Sequence, residues 1–511
     1  MTSFWLDTDP VRERGTPLAD GERHDTAVVG AGLTGVATAL LLARTGQRVC
    51  LLEARSAGAV ATGNTTAKVS LLQGANLSEV RRHHGDEVLG AYVHANLAGQ
   101  AWLREFLVDN GLDHQVRTAY TYASGHDGVR RLDAEVEAAT GAGLPVEWSA
   151  DAGLPYDVAG AIELPGQLQL HPTALLNALL AEFVALGGVL HTGCRVHQLG
   201  TRHGCRLGTA SGSVSADRVV LATGTPILDR GGHFARLQPQ RSYALAFRVP
   251  GPVPQGMYLS IDSPSRSLRT TPGPDGDVLL VGGNGHGVGR DGSTRARVDD
   301  LDDWTRSWFP GAVRTHAWSA QDYRPAGMVP LVGPLPLSDG RVLAATGYAK
   351  WGMTNGVAAA LRLAGWVAHE RPAWAEVLDG VHASLVDLAD GARFNAEVAA
   401  EATRGWLGGE VRALPEEPPG EGSGVVGRLG ARPAARSTVD GRDCTVSAIC
   451  THLGGVLAWN DQERSWDCPL HGSRFDASGQ VLEGPAVTDL EMLDPAATRE
   501  IPGAPTGEER P

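Results

Sequence analysis

The chain is poor in cysteine, in basic charge and in long apolar runs, and each shortage removes a class of protein. Six cysteines occur in 511 residues, and Cys50, Cys194, Cys205 and Cys444 are scattered without framework spacing. That pattern suits a reducing compartment rather than a disulfide-built secreted domain. Lys plus Arg number 44 against 58 Asp plus Glu, a formal charge of −14. Such a balance argues against nucleic acid and against an anionic membrane surface as partners. The longest apolar stretch, Val36 to Ala43, contains Thr38 and is far too short to span a bilayer. The N-terminal MTSFWLDTDPVRERG has no apolar core, so no secretory signal is expected and a cytoplasmic location is. No G-x-S-x-G or H-E-x-x-H motif suggests hydrolysis.

The other two cysteines each stand beside a histidine, as Cys450-Thr-His452 and Cys468-Pro-Leu-His471, with 15 residues between His452 and Cys468. Two thiolates and two imidazoles suit a [2Fe–2S] cluster whose irons have different ligands. The surrounding runs, Cys450-Thr-His-Leu-Gly-Gly, Cys468-Pro-Leu-His-Gly-Ser-Arg-Phe-Asp and Glu483-Gly-Pro-Ala, closely resemble a Rieske domain. The resemblance implies an all-β domain of short strands in which Cys450, His452, Cys468 and His471 are the ligands. High-potential respiratory Rieske proteins add one cysteine per loop, joined as a disulfide, and place Ser and Tyr hydroxyls near the cluster sulfurs. The corresponding positions here are Gly455 and Leu470, then Ser473 and Phe475. The clamp and one hydroxyl are missing, so the expected potential lies below the respiratory type, within the range of about −150 to +300 mV for Rieske centres.

Near the N-terminus an apolar run, residues 26–29, leads into Gly30-Ala-Gly32-Leu-Thr-Gly35, an apolar helix pattern and a second strand ending at Glu53. Gly30 allows a tight turn, Gly32 lets the backbone approach a pyrophosphate, and Gly35 lets the helix pack closely. Glu53, 21 residues after Gly32, is placed to accept ribose hydroxyls. The segments Ala61-Thr62-Gly-Asn64-Thr65-Thr66-Ala-Lys68, Ala222-Thr223-Gly224 and Thr346-Gly347 through Gly352-Met353-Thr354-Asn355-Gly356 extend the pattern. Together they resemble the glycine-oxidase/D-amino-acid-oxidase (DAO) superfamily of FAD-dependent oxidoreductases, in a bacterial subgroup with a C-terminal Rieske domain. The resemblance covers Trp5 to about residue 490. It implies FAD bound by Gly30, Gly32, Gly35, Glu53, Thr62, Asn64, Thr65, Thr66, Thr223, Gly224, Gly347, Gly352, Met353 and Thr354, and Val196 is counted with them. A late helix N-terminus is expected at the flavin pyrimidine end, favouring anionic reduced flavin.

The implied fold is an α/β Rossmann-like FAD-binding domain interleaved with an α+β substrate domain, followed by the all-β domain. Expected divisions are an arm at 1–22, the flavoprotein unit at 23–400, a helix end and linker at 401–414, the Rieske domain at 415–500 and a tail at 501–511. One helix through Phe394, Val398, Ala402 and Trp406 should end at Gly408-Gly409. Gly283-Asn-Gly-His-Gly-Val-Gly289 is not followed by a helix pattern and reads as substrate domain rather than as a second nucleotide loop. Arg81-Arg82-His83-His84 reads as a solvated helix face, and Asp299, Asp300, Asp302 and Asp303 as an exposed acidic helix start.

Functionally, a dehydrogenase-type enzyme is expected. A small polar substrate, amine or amino-acid-like, reduces FAD, and electrons pass through the cluster to an external one-electron carrier. Reverse flow, making the chain a reductase, and a non-enzymatic relay or sensor are the alternatives. Candidate catalytic residues are Tyr243, His286, Arg324 and Lys350, with Tyr323 as a further contact; Arg324 suits a carboxylate. Relatives often carry a second acid after the position of Asp322; its absence here leaves the substrate open. Oligomeric state is not legible.

Overall fold

The protein is described here by a computed structural model covering residues 1–13, 15–202, 204–228, 231–411, 413–493 and 499–500; the expected tail at 501–511 lies outside these described residues. Two compact units emerge. The first comprises Met1–His233, Ser242–Gly285 and Val298–Asp390; the second comprises Phe234–Arg241, His286–Arg297 and the chain from Gly391 onward.

The first unit holds two sheets. One has a parallel centre running Val342–Thr346, Gly212–Leu221, Glu22–Val29, Val49–Leu52 and Val189–His191, with Leu331–Pro334 antiparallel at one edge. Its central strands end in buried apolar runs, with one face packed against helices and the other, through Val29, Leu52 and Leu221, against Val196, Leu199 and Leu207 of the strands Val196–Gly200 and Cys205–Thr209. The helices Leu33–Arg44 and Gly352–Ala368 pack there, burying Val36, Leu40, Val357 and Leu363 against Leu51, Val220 and Leu343. The other sheet has nine strands, in which Val313–Pro325, Leu237–Arg248, Gly276–Gly287 and Arg266–Gly273 are successive neighbours. This is the expected Rossmann-like domain interleaved with a second α+β layer.

Two expectations are corrected in this unit. The histidines of the Arg81–His84 run do not form a solvated face. His83 has a fully buried side chain with Nδ1 2.6 Å from Asp387 Oδ1, and His84 Nε2 lies 2.8 Å from the Gly327 carbonyl. The long helix Asn76–Asp109 breaks at Gly85 (φ 81°), and its first part turns these imidazoles inward while Arg81 and Arg82 pair with surface acids. The acidic run also does not start a helix. That helix begins at Arg295, and Asp300 accepts from Arg266 Nη2 and Asn284 Nδ2, both at 2.8 Å.

The second unit contains two four-stranded antiparallel sheets. One is Ser423–Leu429, Arg432–Val439, Arg442–Ser447 and Arg499–Glu500; the other is Ala458–Asn460, Ser465–Asp467, Arg474–Asp476 and Val481–Glu483. Ala435, Val446, Trp466, Phe475 and Leu490 form its core, with Val398 and Ala402 packed against it. The helix carrying those two residues runs Leu385–Val411 and continues through Gly408-Gly409 instead of stopping there. Side-chain packing along a long helix outweighs a glycine cost of about 1 kcal/mol per residue. Among the described residues no helix is long and apolar enough to cross a membrane.

Candidate functional site

The dinucleotide cradle is built by close backbone approach. Gly30 ends the first strand at φ 103°, and a Cβ there would stand 2.4 Å from the Ala222 carbonyl oxygen. A Cβ on Gly35 would lie 1.8 Å from the Gly30 oxygen, so the helix can start this near the turn only with hydrogen at that position. Gly32 is the N-cap and offers no side-chain cap; the Leu33 amide donates to Thr62 Oγ1 at 2.9 Å. Glu53 accepts from the Ala31 and Arg55 amides, both at 2.8 Å, and burial pushes its carboxyl up while those two bonds hold it down. Val196 is buried three residues beyond the site of the Gly193-to-Arg55 bond, two beyond the Cys194-to-Glu53 bond.

A second helix start meets the first. Thr346 Oγ1 donates to Gly224 O at 2.6 Å, Thr223 Oγ1 to Thr225 O at 2.5 Å, and Gly347 takes φ 81°. Tyr348 Oη lies 3.0 Å from Thr34 Oγ1, and a Cβ on Gly356 would sit 2.8 Å from that same oxygen. The helix from Gly352 has Trp351 as an uncapped N-cap. Two helix N-termini whose own N-cap residues supply no capping side chain thus converge, which favours an anionic pyrophosphate and an electron-rich ring. A buried amide and phenol set braces the second one: Gln73 Nε2 donates to Thr354 Oγ1 (3.2 Å) and Asn96 Nδ2 to Asn355 Oδ1 (3.1 Å). The cradle therefore fits FAD. Met353 lies in the core behind it, and Asn64 Nδ2 is used on the Val60 and Ala59 carbonyls of its own turn. The Thr65 carbonyl accepts from Trp5 and that of Thr66 from Arg269.

Of the four catalytic candidates, Tyr243, Arg324 and Lys350 belong to the first unit and His286 to the second. His286 is buried there with Nδ1 3.0 Å from Asp291 Oδ2. Tyr243 is buried among Leu245, Phe247 and Val281. Arg324 Nε sits on the Met328 sulfur at 3.2 Å. Lys350 is exposed, and both it (φ 74°) and Ala349 (φ 49°) are left-handed, a strained pair held by the Lys350 amide donating to Asp322. Asp322 was legible in sequence only as part of a departure from relatives. Lys68 was legible only as the end of the hydroxyl-rich segment. It is buried, donates to the Tyr258 carbonyl and Ser267 Oγ at 2.6 Å each, and burial, helped by Arg269, pushes its ammonium down to about 7. An amine so placed can hold or release a proton near neutrality.

In the second unit two loops of like construction face each other. The Cys450 amide donates to Gly455 O and the Gly454 amide returns to Cys450 O; the Cys468 amide donates to Ser473 O and the Gly472 amide returns to Cys468 O. Gly454 and Gly472 supply the left-handed turns, at φ 73° and 81°. The result brings together Cys450 with Cys468, and His452 with His471, whose ring centres are 5.3 Å apart. Cys450 is held below the usual thiol range, first by a hydrogen bond from the Cys468 thiol and further by Ser473. Among the described residues no three His, Cys, Asp or Glu converge as they would on a single metal ion. A thiol pair and an imidazole pair are the division that a binuclear cluster with unlike irons needs, so the loops fit a Rieske cluster.

Behind the second loop, buried Arg474 donates to Asp467 (3.0 Å), Glu463 (2.7 Å) and Ser465 (2.9 Å), fixing the loop base. The expected clamp positions do adjoin: a Cβ on Gly455 would lie 2.7 Å from Leu470 Cδ1 and 3.0 Å from Cys468 Sγ. Ser473 Oγ also accepts from the Ala486 amide at 3.0 Å. Ser473→Ala removes the hydroxyl beside the Cys450 sulfur, so, with Cys450 as the expected ligand, the cluster potential falls. It also strands the Ala486 donor, at a cost of about 1–3 kcal/mol. An EPR-monitored redox titration checks both points. Equal potentials in parent and variant, or a parent potential near the top of the Rieske range, contradict this account.

Residues 25–366 match the family described as FAD dependent oxidoreductase (DAO), and residues 420–494 match the Rieske [2Fe-2S] domain. The Bacillus subtilis (strain 168) protein YhfW, named as a Rieske 2Fe-2S iron-sulfur protein, is 31% identical over 484 residues, 93% of this chain and 94% of its own length. The cytochrome b6-f complex iron-sulfur subunit of Synechococcus elongatus is 45% identical over 56 residues, 11% of this chain and 31% of that subunit. Among solved structures, glycine oxidase from Geobacillus kaustophilus superposes with TM-score 0.58 at 21% identity, covering 69% of this chain and 96% of its own. L-proline dehydrogenase from P. horikoshii gives 0.55 at 16%, covering 69% and 94%. The chain therefore belongs to the DAO family of FAD-dependent oxidoreductases and carries, with its FAD, the [2Fe–2S] cluster of a C-terminal Rieske domain.

Proposed function

We propose that the protein oxidises a small polar substrate, an amine or amino-acid-like molecule, and that the electrons leave singly through the Rieske cluster to an external one-electron carrier. The carrying observation is the presence, in one chain, of a dinucleotide cradle between two helix N-termini whose own N-cap residues supply no capping side chain, and of paired thiol and imidazole loops. FAD supplies the two-electron acceptance and one-electron release that join the two chemistries. The substrate class is supported by the names of the solved relatives, which include a glycine oxidase, an L-proline dehydrogenase and L-amino acid deaminases.

Oxidising an amine to an imine removes two electrons and two protons, so two carrier molecules are reduced per substrate. On this reading Cys450, His452, Cys468 and His471 hold the cluster, and the cradle positions from Gly30 to Thr354 described above hold FAD. Tyr243, Tyr323, Arg324 and Lys350 orient the substrate, and Lys68 accepts a proton. The divisions at 22, 400 and 414 remain the proposed boundaries. A cytoplasmic location is proposed from the four free, buried thiols outside the cluster loops, Cys50, Cys194, Cys205 and Cys444, of which Cys50 is pushed up to about 12 by burial and so kept unreactive.

Anaerobic mixing of the holoprotein with a panel of amines and amino acids tests the reading. Bleaching of the flavin followed by the EPR signal of reduced cluster is expected. Reduction by ferredoxin-like donors alone reverses the direction of flow, and inertness to both points to a relay or sensor.

A further inference from the structure

Phe234 stands edge-on to both imidazoles, 5.2 Å from His471 at 81° and 6.0 Å from His452 at 78° between ring centres and planes. It lies in the short 3-10 turn His233–Arg236, which leads directly into the strand Leu237–Arg248 that bears Tyr243. The adjacent strand in that sheet, Gly276–Gly287, supplies the second contact. Just beyond it, Gly289 (φ 66°) packs so tightly that a Cβ would lie 2.9 Å from both Asp467 O and Pro469 N. Arg290 Nε donates to Pro469 O at 3.1 Å, and its Nη1 to Glu397 at 2.8 Å. The glycine-rich run that imitates a nucleotide loop therefore ends as a seat for the Cys468 loop.

We infer that Phe234 makes the imidazole pair an internal electron port, coupling His452 and His471 to the chain's own segment Phe234–Arg241 and shielding them from a docking carrier. This rests on the reading that those histidines hold the cluster. The transfer moves one electron and no atoms: the flavoprotein part is oxidised by one electron and one ferric iron becomes ferrous, until the external carrier takes that electron. Phe234 acts through the histidines and is a positioning residue. Its ring replaces what would be a gap, across which electronic coupling decays far more steeply than through packed atoms.

The test uses full-length holoprotein with Phe234→Ala, Phe234→Leu and Phe234→Tyr. A light pulse reduces the flavin, and the appearance of reduced cluster is timed. Pulsed EPR in D2O reads solvent deuterons near the cluster. Phe234→Ala and Phe234→Leu should slow the transfer on the order of tenfold, about 1.4 kcal/mol of barrier. They should also strengthen the deuterium coupling and speed oxidation of pre-reduced cluster by cytochrome c. Phe234→Tyr should match the parent in all three. Parent-like transfer in the leucine variant, which keeps apolar bulk and hence the fold, overturns the port. A parent spectrum without two coordinating imidazole nitrogens overturns the ligand assignment beneath it, so the two failures are distinguishable.

Discussion

Cys468→Ala should yield a yellow protein that substrate still bleaches and that no longer passes electrons to a large carrier. Cys468 is fully buried in the second loop, and its sulfur lies against the first. On the proposed ligand assignment, removing it deletes one of two thiolates for one iron, and Cys444, on a strand of the other sheet, is not placed to substitute. The cradle is made from residues of the first unit and keeps its FAD. Iron content and the EPR signal should be lost. Turnover with cytochrome c as acceptor should fall on the order of a hundredfold, about 2.7 kcal/mol. Flavin bleaching in a single anaerobic turnover should keep its rate. Retained iron would remove Cys468 from the ligand set. Lost iron with undiminished cytochrome c reduction would remove the cluster from the path.

Gly35→Ala should do the reverse, giving a cluster-bearing protein without flavin. The added carbon would stand 1.8 Å from the Gly30 carbonyl oxygen, about half a normal contact, and its near neighbours, Gly30 backbone and the Ala222 Cβ, include no flexible side chain to yield. Relief requires the helix to lift off the turn, which costs about 1–3 kcal/mol as overpacking and dismantles the phosphate seat. Gly90→Ala is the control. Its added carbon meets nothing within 4 Å, and a helical Gly-to-Ala change is worth about 1 kcal/mol in the stabilising direction. Flavin absorbance per protein and a thermal melt read both. Full flavin occupancy in Gly35→Ala would remove the cradle from this loop.

Much of this was legible in the chain because close backbone approach admits only glycine and because Cys-His pairs are rare. Gly30, Gly35 and Glu53 announce themselves by spacing, and the structure gives each a local reason. What stayed hidden depends on long-range burial. Nothing in the Arg81–His84 run tells that a break at Gly85 turns two histidines inward onto Asp387 and Gly327. Trp5, fully buried with its indole on the Thr65 carbonyl, looked like part of a free arm. The run Gly283–Gly289 gives no sign that His286 is buried with Nδ1 3.0 Å from Asp291 Oδ2. Such placements follow from tertiary partners, which a local pattern does not name.

The contact of Leu470 with Gly455 has a chemical consequence. Where a disulfide joins the two loops, their hold on the cluster depends on the thiol-disulfide balance of the surroundings, and a strong reductant can part them. Here the loops meet through an aliphatic side chain on a bare backbone, a joint with no redox chemistry of its own. The housing is therefore indifferent to glutathione or thioredoxin, and the only redox-active element between the loops is the cluster itself.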